Sequence, residues 1–269
     1  MKGGSVLIIM SLAVVAFVAV SIAVGIPADE ERNNDRIGII GAMEVEVNTL
    51  IEATDVKEIR QIGDTFYYSG TMNGRNVVIA QCGMGKVHAG ICAQMMITEF
   101  DAKYVINTGT AGALDAGLDI GDLVISTDAV QHDFDVTTLP PGYERGEIPY
   151  TGKYSFEADS GLMQLAVRAA AECAPEVNMM QGRICSGDQF INSIAQKDEI
   201  IANFGGLCCE MEGGAIAQVC YLNDVPFVII RAMADKADGT LPPDYSEFER
   251  QAALRSASIV QYMVFQFVE

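Results

Sequence analysis

A single-domain α/β fold, a three-layer sandwich whose mixed but mainly parallel sheet carries helices on both faces, is predicted by three features of this sequence. Buried-looking strands alternate with amphipathic segments from Arg36 onward, and no internal repeat or linker divides residues 36–269. Half of the 269 residues are hydrophobic, enough for one sizeable core. In three places an apolar strand ends in carboxylates, at the sheet edge where ligands of open α/β folds sit: Gly41-Ala42-Met43-Glu44-Val45-Glu46, Cys208-Cys209-Glu210-Met211-Glu212-Gly213, and Arg231-Ala232-Met233-Ala234-Asp235.

Taken in order, residues 36–43 read as a first buried strand, and 44–53 as the helix after it, with Val47, Leu50 and Ile51 at i, i+3 and i+4. Glu44 and Glu46 fall in that helix's first turn, a placement the helix dipole favours whether or not they act on a ligand. Residues 66–72 and 76–82 flank Asn73-Gly74, a hairpin signal. Gly83-Met84-Gly85-Lys86-Val87 turns into a helix over 87–100; it resembles a phosphate cradle but lacks the spacing of the known fingerprints, so a tight turn is the plainer reading. A strand over 104–107 enters the small-residue loop Thr108-Gly109-Thr110-Ala111-Gly112, where a ligand can approach backbone closely. A strand follows over 122–130, and then residues 131–156, aperiodic and holding Pro140-Pro141, read as a long functional loop. The pattern then gives a helix over 162–174, a strand over 182–186 with its loop Gly187-Asp188-Gln189-Phe190-Ile191, strands over 206–211 and 226–233 separated by a helix over 213–222, a loop over 236–244, and a terminal helix over 246–267.

The balance of 17 basic against 36 acidic residues, net −19, disfavours nucleic acid and anionic membrane surfaces as partners. Seven cysteines, odd in number and without a C-x-x-C pair, read as reduced, buried thiols; Cys208 and Cys209 would point to opposite faces of their strand. The apolar run from Ser5 to Ile26, after Lys2 and before Asp29-Glu30-Glu31, makes residues 1–28 either a cleaved export signal or a membrane anchor. Export or anchoring to the membrane is therefore expected, with a cytoplasmic location if the segment is not used. With only His88 and His132, a multi-histidine metal site or a Ser-His-Asp triad is disfavoured, and neither metal nor cofactor is expected. Acid/base chemistry on a polar small molecule falls to the carboxylates.

Seven motifs, in order and without large gaps, carry a resemblance: Ile39-Ile40-Gly41-Ala42-Met43-Glu44-x-Glu46, Gly83-x-Gly85-Lys86-Val87, Asn107-Thr108-Gly109-x-Ala111-Gly112, His132-Asp133-x-Asp135-Val136-Thr137, Ser186-Gly187-Asp188-x-Phe190-Ile191, Glu210-Met211-Glu212, and Arg231-Ala232-x-x-Asp235. Together they resemble the methylthioadenosine/S-adenosylhomocysteine nucleosidases of the purine nucleoside phosphorylase superfamily. The resemblance implies a nucleoside phosphorylase-like fold and hydrolysis of the N-glycosidic bond of 5′-thio-substituted adenosines, with Asp235 protonating adenine N7 and Glu46 activating water. It implies that Glu212 accepts the ribose hydroxyls, that Met211 packs on the sugar, that Phe190 stacks on the purine, that the Ile191 backbone binds the purine edge beside Gly112, and that Met84, Thr110 and Tyr245 also contact substrate. Arg231 resembles a basic residue of the catalytic centre, although a salt bridge orienting Glu212 or Glu46 explains it equally well. The acid must be held neutral by burial or a like charge, whereas Glu46 at a helix N-terminus should ionise more readily.

The resemblance further implies a homodimer, with the 131–156 loop completing a neighbour's pocket. Four positions depart from the pattern: Ala234 stands where a serine usually supports the aspartate, Thr110 conservatively replaces a common serine, Tyr245 stands where a phenylalanine covers the 5′ group, and Leu139 where an aromatic of the neighbouring subunit is usual. Two other readings stand beside hydrolysis: phosphorolysis, which Glu44 and Glu46 would oppose by repelling phosphate, and an exported nucleoside-binding protein without activity.

Overall fold

The computed structural model describes residues 35–240 and 244–267. The run expected to be a signal or anchor, residues 1–28, lies outside them. Among the described residues no helix is long and apolar enough to cross a membrane.

The chain order is β1 (Arg36–Gly41), α1 (Glu44–Glu52), β2 (Asp55–Ile62), β3 (Thr65–Met72), β4 (Arg75–Gln81), α2 (Lys86–Phe100), β5 (Ala102–Ala113), β6 (Leu123–Gln131), β7 (Phe156–Glu157), α3 (Ser160–Cys173), β8 (Met179–Ser186), α4 (Ile194–Phe204), β9 (Cys208–Glu210), α5 (Gly213–Leu222), β10 (Phe227–Asp235) and α6 (Tyr245–Gln266). One ten-stranded sheet runs β10-β6-β8-β9-β5-β1-β4-β3-β2, with β7 beside β6. Helices α2 and α5 bury Ala89, Cys92, Ile216 and Cys220 against one face. The other face is covered by α1, α3 and α6 through Leu50, Leu165, Ala166 and Val260. Burying both faces is what lets the central strands be nearly all apolar.

Three expectations need correction. The sheet is not mainly parallel: β1–β4, β1–β5, β5–β10, β6–β8 and β8–β9 are parallel, and as many pairs are antiparallel. Nor is it a plain open layer, because β10 pairs with β5 as well as β6 and so closes β5, β9, β8, β6 and β10 into a ring. Finally, β5 does not stop at Asn107. It runs on to Ala113, and its small residues lie in a paired strand against β10 and β9 instead of in a loop.

Two elements carried weaker signals. The edge strand β2 alternates only partly and holds Asp55, Lys57, Glu58 and Arg60, charges that discourage further edge pairing. Helix α4 is capped at both ends: Ser193 accepts the Gln196 N–H, and Gly205 takes a left-handed φ of 64°.

Register gathers the strand ends. Ile40 lies beside Asn107, Arg231 beside Gly109, Asp235 beside Gly112, Gly112 beside Cys209, and Ser186 beside Glu210. The three acidic strand ends thus converge.

Candidate active site

At this edge lies a pocket whose lining includes Glu46, Met84, Thr110, Gly112, Phe190, Ile191, Met211, Glu212, Asp235 and Tyr245. Of the site residues read from the sequence, only Arg231 is missing from the wall. It lies behind it, 1% exposed.

Glu46 reaches this pocket because α1 begins where β1 ends. In the helix's first turn its carboxylate folds back: Oε2 accepts the N–H groups of Ala42 at 2.7 Å and Met43 at 2.9 Å, and Oε1 accepts that of Thr110 at 3.0 Å. Gly109 leaves the room, since a Cβ there would press on the Arg231 guanidinium and stand 2.5 Å from Glu46 Oε1. Glu44, by contrast, is exposed, accepts from Asn48 at 3.0 Å and lines a different cavity. Only one of the two paired glutamates faces the site.

Arg231 holds the centre together. Its Nη2 pairs with Glu210, donates to Asn107 Oδ1 at 2.6 Å and lies 3.6 Å from Glu212 Oε2. Glu210 in turn accepts the Ser186 hydroxyl and the Gly213 N–H. The salt-bridge reading of Arg231 is therefore the one the geometry favours, with Glu210 as its main partner. Glu212 accepts the Gly85 N–H at 2.9 Å. One guanidinium among three buried carboxylates cannot neutralise them all. Burial, and then the charge of Glu210, accordingly push Glu212 up to about 7.

Asp235 is 4% exposed, with Oδ1 accepting the Ala237 N–H at 2.7 Å. At Ala234 there is no hydroxyl to support it, and its second oxygen has no donor among the described residues. Burial raises its pKa, opposed by the Ala237 N–H. Glu46 departs from the expected contrast: burial raises it too, against Arg231 and the three backbone N–H groups. The helix N-terminus does not outweigh desolvation at this depth.

The glycine turn Gly83-Met84-Gly85 does not act as an anion cradle. The N–H of Gly85 goes to Glu212 and that of Lys86 to Asp188 at 2.8 Å, while Lys86 Nζ pairs with Asp133 at 2.5 Å. His132 stands outside the pocket, buried against Gly187, where desolvation lowers its pKa. The adjacent cysteines face opposite ways as expected: Cys208 enters the helix-covered core and Cys209 lines the pocket, its thiol held protonated by burial. All seven cysteines are free. No group of His, Cys, Asp or Glu among the described residues is placed to hold a metal.

Met43, Gln189, Glu210 and Glu249 also line the pocket without having been singled out. Glu210 could have been found, because it is the strand-end carboxylate of its motif. Glu249 could not, since it sits in the ordinary charged surface pattern Glu247-Phe248-Glu249-Arg250.

A Cβ at Gly112 would stand 2.7 Å from Asp235 Oδ1 and 3.0 Å from Ala237 Cβ. Gly112→Ala is therefore expected to displace the aspartate and lower kcat/KM by up to about 100-fold, as misplacement of a reacting group by about 1 Å can do. Adenine-nucleoside turnover beside a thermal melt checks this; full activity in a folded variant would show that the pocket absorbs the methyl.

The sequence pattern of the Phosphorylase superfamily matches residues 36–264. A 5′-methylthioadenosine/S-adenosylhomocysteine nucleosidase from Staphylococcus carnosus is 43% identical over 230 residues, covering 85% of this chain and 98% of its own length. Among solved structures, the nucleosidase of the same name from Neisseria meningitidis, in complex with methylthio-immucillin-A, superposes with a TM-score of 0.82 at 39% identity, covering 86% of this chain and 99% of that one. The Colwellia psychrerythraea nucleosidase in complex with adenine gives 0.81 at 35% identity, covering 87% and 96%.

Proposed function

The chain belongs to the Phosphorylase superfamily and, within it, to the 5′-methylthioadenosine/S-adenosylhomocysteine nucleosidases, and on that premise we propose how its pocket hydrolyses the N-glycosidic bond of 5′-thioadenosines to adenine and the thioribose. The observation that carries the reaction type is the charge of the lining: Glu46, Glu210, Glu212, Asp235 and Glu249 are acidic, and among the described residues no lysine or arginine lines it. A phosphate nucleophile would meet carboxylates there with no cation on the wall to offset them, whereas a neutral water would not be repelled. Cations near the site are committed: Arg231 to Glu210, Lys86 to Asp133, and Lys197 to the carbonyls of Ala113 and Lys236.

Adenine is a poor leaving anion, so an acid should protonate N7 while a base activates water across an oxocarbenium-like sugar. Asp235, whose pKa burial raises, is placed for the first role, and the free oxygen of its carboxyl is the one that donates. Glu46, held by three backbone N–H groups at 2.7–3.0 Å, is fixed for the second. Phe190, half exposed beside Ile191 and Gly112, offers a face for the purine. Glu212 offers two oxygens for the two ribose hydroxyls, with Met211 beside it; Thr110 and Met84 complete the wall. No cofactor enters.

The direct test is adenine release from methylthioadenosine by the full chain, without phosphate and with it. Release at the same rate in both is expected, with free thioribose as the second product. Release only with phosphate would make the protein a phosphorylase, and binding without release would make it a carrier.

Two further readings go with this one. Exposed Val87 and Ile91 on α2, with Leu139 and Phe190, support a homodimer in which the 131–156 loop approaches the neighbour's pocket. The apolar run at residues 5–26 supports export, or retention at the membrane through residues 1–28 if uncleaved.

A further inference from the structure

One wall of the pocket is left unused by this reading. Adenine takes Phe190, Ile191 and Asp235, the ribose hydroxyls take Glu212, and water takes Glu46. Among the lining residues that remain, three come from the starts of two helices: Met43 ahead of α1, and Tyr245 and Glu249 on the first turns of α6. By the resemblance, which places residue 245 over the 5′ group, this wall is the side of the 5′ substituent.

Tyr245 and Glu249 are four residues apart, so the helix stacks them on one face. Both are half-buried, and burial, followed by the charge of Glu249, raises the pKa of the tyrosine hydroxyl. The charges of Asp235 and Glu46, which line the same pocket, also bear on that hydroxyl. Glu249 joins none of the ion pairs among the described residues, whereas its neighbours Glu247 and Arg250 pair with each other. A methylthio group gives such a carboxylate nothing to bind and strips it of water at a cost. A thioalkyl chain ending in an ammonium would supply the missing charge-assisted hydrogen bond.

Resting on the nucleosidase reading, we propose that Glu249 is a specificity-determining residue that selects 5′-thioadenosines whose alkyl chain ends in an ammonium group, with Tyr245 positioning its carboxylate. The net charge of −19 adds long-range attraction for such a cation.

The test compares two nucleosides of equal length, 5′-deoxy-5′-(3-aminopropylthio)adenosine and 5′-deoxy-5′-propylthioadenosine, by adenine release from the full chain. The native protein is expected to prefer the amine in kcat/KM by about tenfold, the worth of one charge-assisted hydrogen bond in a half-open site. Glu249→Gln should shrink that preference and Glu249→Leu reverse it. Tyr245→Phe should weaken it less, through the KM of the amine and not through kcat. Equal preference for both nucleosides, or a preference unchanged in the Glu249 variants, overturns the assignment while leaving the nucleosidase reading intact. Release from neither analogue nor methylthioadenosine overturns the nucleosidase reading and this proposal with it.

Discussion

Asp235→Asn is expected to retain nucleoside binding and to lose turnover by about 10³- to 10⁴-fold, the upper part of the range for a positioned general acid. Asparagine keeps the shape and can still accept the Ala237 N–H that Asp235 Oδ1 accepts at 2.7 Å. What it lacks is a proton to give. The substitution should not unfold the protein, and the sign can be worked out. Burial raises the Asp235 pKa, so the folded state holds the proton more tightly than the unfolded one. The stability this contributes is present below the unfolded pKa and declines as pH rises through the folded one. A neutral amide carries no such penalty, and at neutral pH the variant should melt at or above the native temperature. The native kcat/KM should also fall on the alkaline side as Asp235 loses its proton, and that limb should vanish in the variant. Binding measured with methylthioadenosine, a melt and a pH profile check all three; turnover within tenfold of native would remove Asp235 from the acid role.

The legible part of this protein was the part in which a single residue type answers a single physical demand. Strand ends rich in carboxylates pointed to the site because the chain has only two histidines to offer instead, and register did bring Glu46, Glu210 and Asp235 to one edge. Motif order identified most of the wall. What the pattern concealed depends on partners far away in sequence. That Glu44 would turn outward and Glu46 inward follows from helix phase set by the packing of Val47 and Leu50, both buried. The commitment of Arg231 to Glu210 needed the neighbouring strands in place, and Glu249 needed α6 to arrive over β10. The ring closure through β5 and β10 was invisible because each strand reads the same whether its sheet is open or closed. The missed strand β2 is an edge strand whose charges hide its alternation, and α4 carried its Ser193 and Gly205 caps without a strong apolar stripe to draw attention to them.

Glu46→Gln should fail differently from Asp235→Asn, and the difference separates base from acid. Both are near-isosteric, and both should cost about 10²- to 10⁴-fold in kcat/KM if each residue moves a proton in the transition state. The surroundings are opposite, however. Glu46 is 2% exposed and uses both oxygens as acceptors, one for Ala42 and Met43, the other for Thr110. A glutamine has one oxygen, and whichever way it is turned its NH₂ must face a backbone N–H. Keeping the oxygen on Ala42 and Met43 leaves the buried Thr110 N–H unsatisfied, at a cost of about 1–3 kcal/mol. The nearby Arg231 loses an opposing charge as well. Glu46→Gln is therefore expected to be inactive and destabilised at neutral pH, whereas Asp235→Asn is inactive and stable. Burial also raises the Glu46 pKa, so native activity should fall on the acid side as the base takes up its proton, and Glu212, pushed up to about 7, also loses there the charge that receives the ribose hydroxyls. Denaturant melts of the two variants, with kcat/KM against pH for the native chain, check the pair. A Glu46→Gln protein as stable as native would mean that the carboxylate is not held as the backbone geometry requires, and one that still turned over substrate at a native rate would move the base elsewhere in the pocket.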